Sequence, residues 1–281
     1  MDIFYLNGEF VKREDAKVSV LDRGFMFADG VYEVIPAYHG KFFRFDAHLD
    51  RLKRSLKEIG IAVPELDWAV IFNSLLVENN SKTTNCSLYC QVTRGVMPSR
   101  AHQFNKEALK PTVVAWLQPM SIMPIEELEK GFKAVTTDDL RWLRCDIKSI
   151  SLLPNIISKQ DAIEHGVLEA IFVKNGNVTE GTASNVFIVR GDEVVTHPKE
   201  NGILGGITRE VVKEVVKDSS YKLVEEIFKR DDLYSADEVW VTSSTKNIAP
   251  ITEVDGKPIG SGQVGSVWKE INSSLMKSIG I

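Results

Sequence analysis

The chain has 281 residues, 43% hydrophobic and 26% charged, with a formal net charge of −5. This is ordinary globular composition, enough for one large or two medium cores, and the acidic balance without a long Lys/Arg run disfavours charge-driven binding to nucleic acid or anionic membrane. Three cysteines form no CxxC pair, and no apolar run approaches membrane-spanning length, so the expectation is a cytoplasmic protein in a reducing compartment.

In chain order, Ile3–Val11 reads as a hairpin turned by Asn7-Gly8. A glycine-punctuated loop, Leu21–Gly30, leads into a β-branched and aromatic strand over 31–38, and His39-Gly40 turns it back into Lys41–Phe45. Asp46 is expected to cap a helix with apolar positions Leu49, Leu52, Leu56 and Ile59, closed by Gly60, with Arg51 on the flank of its stripe. A helix over 67–77, a strand over 86–94, a long loop carrying Arg100 and His102, and a strand over 112–118 follow. Pro119–Pro124 has prolines at both ends and no period, so it is read as a linker between a smaller N-terminal domain, 1–118, and a larger C-terminal domain, 125–281. The second part alternates helices and strands, with three strands expected over 168–196. The fold class is therefore α/β or α+β in two domains, with a site expected at their junction.

Lys148 sits between an alternating apolar segment and the run Ile150, Leu152, Leu153, Ile156, Ile157, which reads as a helix start expected to draw the ammonium inward. A neutral amine is the nucleophile that Schiff-base chemistry requires, yet a lone lysine is far more often solvated. Other residues must decide it. Gly205-Gly206 opens a helix whose N-terminus suits a phosphate, although such a pair is more often a plain turn. Glu180 lies between two strands, where a carboxylate either bonds its own turn or holds a cationic ring nitrogen. Ser243-Ser244-Thr245 ends a strand with hydroxyls, as caps or as ligand donors. The five histidines show no metal-ligand spacing, and no GxSxG elbow is present.

Together these pieces match what an anionic aldehyde cofactor with a pyridine ring needs. Glu180-x-Thr-x-x-Asn185-Val-Phe187, Val194-x-Thr196 and Leu204-x-Gly206-Ile207-x-Arg209 resemble the signature of class IV (fold-type IV) pyridoxal-phosphate aminotransferases. Asp22-Arg23-Gly24, Gly30-Val31-Tyr32-Glu33, His48–Leu52, Arg141-Trp142 and Asp146-Ile147-Lys148 fit the same family. Within it, Gln91–Gly95, Arg100–Phe104 and Arg141–Ser149 are similar to the branch acting on D-amino acids.

The resemblance implies pyridoxal 5'-phosphate bound covalently to Lys148, which also moves the substrate proton. It implies Glu180 at the pyridine nitrogen, Leu204 on the ring face, and the phosphate held by Arg51, the N–H groups of Ile207 and Thr208, and Ser244. Tyr32, with Arg100 and His102 from a second subunit, would hold the substrate carboxylate, making the active site a property of a homodimer. The expected reaction passes the amino group of a D-amino acid such as D-alanine to 2-oxoglutarate. A branched-chain L-amino-acid aminotransferase, an (R)-amine transaminase or an aminodeoxychorismate lyase are the alternatives on this fold, and a non-catalytic cofactor-binding protein is a more distant one.

Overall fold

The computed structural model describes residues 1–105 and 109–280. The chain forms two compact units, Met1–Ser121 with Ile147–Ser151, and Ile122–Asp146 with Leu152–Ile281.

The first unit contains β1 (Ile3–Leu6), β2 (Glu9–Lys12), α1 (Arg23–Phe27), β3 (Gly30–Tyr38), β4 (Lys41–Phe42), α2 (Phe45–Glu58), α3 (Trp68–Glu78), β5 (Cys86–Thr93) and β6 (Thr112–Pro119). Its strands form a six-stranded antiparallel sheet in the order β2-β1-β6-β5-β3-β4. The expected hairpin is present, with Asn7 and Gly8 both at positive φ, 50° and 107°, as a mirror-image turn requires. Helix α2 packs on β3 and α3 on β1 and β6. Between helices and sheet lie Ile35, Leu52, Leu56, Phe72 and Leu88, all essentially inaccessible to water.

Two local expectations change. Helix α2 begins one residue before Asp46, and its N-cap position is Arg44 at φ 51° with no capping side chain. Asp46 instead lies in the first turn, where its charge complements the helix dipole. The run after Lys148 does not draw the lysine inward: it becomes a helix with Leu153, Ile156 and Ile157 68%, 60% and 54% exposed. Lys148 is half-buried because its own segment adds to the edge of β3. The Tyr32 N–H donates to the Lys148 carbonyl at 3.0 Å, the Ile150 N–H donates to Gly30 at 3.1 Å, and Ile147 enters the first core.

The second unit contains α4 (Ile125–Leu128), β7 (Phe132–Asp138), α5 (Leu153–Glu164), β8 (Glu169–Lys174), β9 (Asn177–Gly181), β10 (Asn185–Arg190), β11 (Glu193–Thr196), α6 (Ile207–Lys217), β12 (Lys222–Glu225), α7 (Arg230–Ser235), β13 (Glu238–Ser243), β14 (Asn247–Val254), β15 (Lys257–Pro258) and α8 (Ser266–Ser278). The strands make a nine-stranded mixed sheet, β12-β11-β10-β13-β14-β7-β8-β9, with β15 on β14. Helices α6 and α8 pack on each other and on β13.

Four strands, not three, occupy 169–196. The extra break falls at Thr182–Ser184, because the buried Glu169 carboxylate accepts from the hydroxyls of both Thr182 and Ser184 and bends the chain there. Among the described residues no helix is long and apolar enough to cross a membrane.

Phe72 is fully buried and its ring meets those of Phe42, Phe45 and Trp68. Phe72→Ala should therefore cost about 3–5 kcal/mol of stability, read by urea denaturation. A loss below about 1 kcal/mol would mean that this core collapses around the gap.

Candidate active site

In the first unit the site residues stand on β3, α2 and the segment paired to β3. Alternation along β3 sends Val31, Glu33 and Ile35 inward, so Glu33 carries a carboxylate at a core position with no accessible surface. Two residues of α2 satisfy it. Arg51 donates from Nε to Oε1 at 2.7 Å and from Nη2 to Oε2 at 2.8 Å, and His48 Nδ1 lies 2.8 Å from Oε2. Burial opposes ionisation of Glu33, but the Arg51 guanidinium and His48 outweigh it and hold the carboxyl at about 2. Burial also pushes His48 down, aided by the nearby Arg51 and Lys148 charges, against the pull of Glu33. The outcome is an Arg51 whose planar fork is aimed by a permanent anion.

Lys148 lies beside this cluster. Its N–H donates to Ser55 Oγ at 3.2 Å, and its ammonium sits 4.1 Å from the centre of the Tyr32 ring. Tyr32 also stacks on Tyr89. Lys148 thus touches Tyr32 and is close enough to His48, in the Arg51–Glu33 cluster, for its charge to be felt there. Arg100 and His102, both exposed, gather instead on Phe27, at 5.0 Å and 5.5 Å from its centroid.

In the second unit the centre is Asn185, the first residue of β10. Its Nδ2 donates to Glu180 Oε2 at 3.2 Å and to the Leu204 carbonyl at 2.8 Å, while the Leu204 N–H donates to the same Glu180 oxygen at 2.9 Å. Asn185 pairs across the sheet with Thr242, near the β13 end where Ser243 leads into the half-buried Ser244 turn. A Cβ on Gly206 would lie 2.1 Å from Asn185 Oδ1, so only glycine allows the chain to pass so close and start α6 there. Gly206 offers no side-chain cap, and Ile207 and Thr208, both buried, begin the helix with N–H groups directed at its N-terminus. One asparagine thereby gathers Glu180, Leu204, the α6 N-terminus and the β13 end.

Glu180 Oε1 accepts from Arg141, which is itself clamped by Asp139 through Nε at 2.9 Å and Nη2 at 2.7 Å and lies over the Phe172 ring. Burial pushes Glu180 up to about 6, partly offset by Arg141 and the Leu204 N–H. The group is an anion at neutral pH but one short of positive charge, as suits a partner for a protonated ring nitrogen. The uncapped helix start and close-approach glycine likewise suit a phosphate.

Sequence reading missed Glu33 and His48 as partners of Arg51, and Asp139 as the clamp of Arg141. A signal existed for Glu33: an acid at a core-facing position of a strand requires buried donors. Asp139 had no comparable signal, since its role depends on where β7 ends relative to β9.

The raised Glu180 value fixes the sign of a pH effect. Between about pH 4.5 and 6 the unfolded chain releases this proton while the folded chain keeps it, so this group's contribution to stability is lost as pH rises through that window. The change is about 2 kcal/mol. Denaturant titrations of ligand-free protein across the window should show that loss in wild type and a flatter profile in Glu180→Gln. Equal slopes would show that Glu180 titrates normally.

Residues 30–254 match the family model for amino-transferase class IV. The D-alanine aminotransferase of Staphylococcus epidermidis is 42% identical over 280 residues, 98% of this chain and 97% of the relative. That of Bacillus licheniformis is 42% identical over 275 residues, 97% of this chain and 95% of the relative. Among solved structures, the Escherichia coli branched-chain amino acid aminotransferase superposes with a TM-score of 0.87 at 26% identity, covering 97% of this chain and 92% of that one. The branched-chain amino acid aminotransferase of T.th., complexed with N-(5'-phosphopyridoxyl)-L-glutamate, gives 0.87 at 25% identity, covering 99% and 94%. With this fold, this residue set and these relatives, the chain belongs to the class IV aminotransferases and is a pyridoxal-phosphate-dependent enzyme.

Proposed function

We propose that this enzyme is a D-amino-acid transaminase, reversibly passing the amino group of D-alanine or a similar D-amino acid to 2-oxoglutarate, with pyruvate and D-glutamate as products. The observation that carries the chemistry is the buried Glu180 carboxylate, held by Arg141, Asn185 and the Leu204 N–H beside the glycine-opened start of α6. The choice of D-amino acids is supported by more than 40% identity to relatives named D-alanine aminotransferase over nearly the whole chain.

When bound, pyridoxal phosphate supplies an aldehyde for covalent capture of the amine and a protonated ring that accepts electrons from the substrate Cα. On this reading Lys148 is the attachment point and carries the proton to and from the substrate Cα. The Tyr32 ring beneath its ammonium and the fixed backbone of 147–150 limit where Nζ can swing. Glu180 would keep the ring nitrogen protonated, and Leu204, fixed at both its N–H and its carbonyl, would pack against the ring. Arg51, with a guanidinium oriented by Glu33, would bind the phosphate, as would the N–H groups of Ile207 and Thr208 and the Ser244 hydroxyl. Tyr32 binds the substrate carboxylate with Arg100 and His102 of a second protomer, so the proposed working form is a homodimer. A reducing, cytoplasmic setting is part of the same proposal, supported by three buried free thiols.

Assayed with D- and L-alanine and 2-oxoglutarate, the enzyme should form D-glutamate from the D-form at least about 100-fold faster; turnover restricted to the L-form would overturn the stereochemical assignment. Borohydride reduction of the holoenzyme should leave pyridoxyl on the peptide containing Lys148. Lys148→Ala should lose that label and at least about 1000-fold of activity while keeping its fold by circular dichroism. Label on another lysine would reassign the attachment point.

A further inference from the structure

Over residues 95–105, the described part of the loop after β5 that carries Arg100 and His102, there is no helix or strand beyond the Asp22–Val96 bridge, so its aim depends on ties to other elements. Its start is tied to the chain before α1: the Arg23 N–H donates to Gly95 at 2.9 Å and the Met97 N–H donates to Leu21 at 3.2 Å. Arg23 ties the described tip. Arg23, 5% exposed, donates from Nη1 to the Ala101 carbonyl at 2.8 Å and from Nη2 to the His102 carbonyl at 3.2 Å.

Arg23 is itself held on every side. Its Nε donates to Asp29 Oδ2 at 2.8 Å, and the same carboxylate takes Arg94 through Nε at 2.8 Å and Nη2 at 2.9 Å. Arg94 is anchored in turn on the carbonyls of Ile59 and Gly60 at the end of α2. The Phe104 ring packs against both guanidiniums, 4.7 Å from Arg23 and 4.1 Å from Arg94. The opposite partner, Phe27, meets Arg23 at 4.9 Å, Arg100 at 5.0 Å and the His102 ring. Burial opposes ionisation of Asp29, but its two arginine partners hold it below its ordinary value. A planar fork reaching two successive carbonyls is a task that lysine's single ammonium does poorly.

We propose that Arg23 is a positioning residue for substrate specificity: its fork fixes the Ala101 and His102 carbonyls, and Phe27 then presents Arg100 and His102 as a preformed carboxylate receptor. The proposal rests on the reading of Arg100 and His102 as carboxylate ligands. Arg23 touches neither substrate nor cofactor. It acts by keeping an exposed loop in one conformation, which lowers the ordering cost of binding.

The test is steady-state kinetics of the holoenzyme variants Arg23→Lys and Arg100→Ala, with propionate as a competitive carboxylate probe. Arg23→Lys should raise the D-alanine KM and the propionate Ki together by about tenfold, with kcat changed less than about threefold and cofactor affinity by absorbance titration unchanged. Parallel movement of KM and Ki at constant cofactor affinity is a signature that general loss of packing does not produce. Should Arg23→Lys fail to fold, Phe104→Leu removes the ring that packs on both guanidiniums and should raise both constants about threefold. If Arg100→Ala raises KM while neither Arg23→Lys nor Phe104→Leu does, Arg23 is only structural and the proposal falls. If Arg100→Ala itself leaves KM and Ki unchanged, the carboxylate reading falls and takes this proposal with it.

Discussion

Burying a carboxylate requires donors or a proton, and each unit of this enzyme is arranged around one such carboxylate. In the first it is Glu33, satisfied by Arg51 and His48 so fully that it stays ionised with no accessible surface. In the second it is Glu180, satisfied by Arg141, Asn185 and the Leu204 N–H, yet still pushed up by burial. The difference is useful. Glu33 is fully hydrogen-bonded and serves to hold a guanidinium in place, whereas Glu180 stays raised by burial, and a pyridinium beside it would favour its charged form.

Neither carboxylate could be placed without the sheet beneath it. Alternation along β3 turns Glu33 inward between Val31 and Ile35, and α2 lays His48 and Arg51 across it from positions one helical turn apart. In the second unit, the Glu169 carboxylate breaks the chain at Thr182–Ser184, and this break sets β10 to begin at Asn185. Asn185 then joins Glu180 to Leu204 and packs its oxygen against Gly206. Local turn chemistry thereby reaches the start of α6, more than 20 residues further along the chain.

The strands and most helices were legible because hydrophobic periodicity and turn residues act over a few positions, as Asn7-Gly8 and the Leu49–Leu56 stripe illustrate. Two features lie beyond that local reach. The apolar run after Lys148 has the periodicity of a core-facing helix, but periodicity reports amphipathicity and not which surface covers it, and Leu153 and Ile156 are exposed. The break at 182–184 was invisible because it is made by Glu169, a residue 13 or more positions away.

The sequence by itself determined the family, through a linear order of motifs spanning nearly the whole chain, and with it the chemistry and the residue types that must serve it. Only the tertiary structure decided how those residues are held. It showed Arg51 gripped by Glu33, Arg141 by Asp139, and the Arg100 loop by Arg23. Each of these pairings except Asp139–Arg141 joins residues far apart in sequence, and each depends on burial strengthening a charge interaction that would be weak in water. Neither the distance between the partners nor the local dielectric is written in the order of the amino acids.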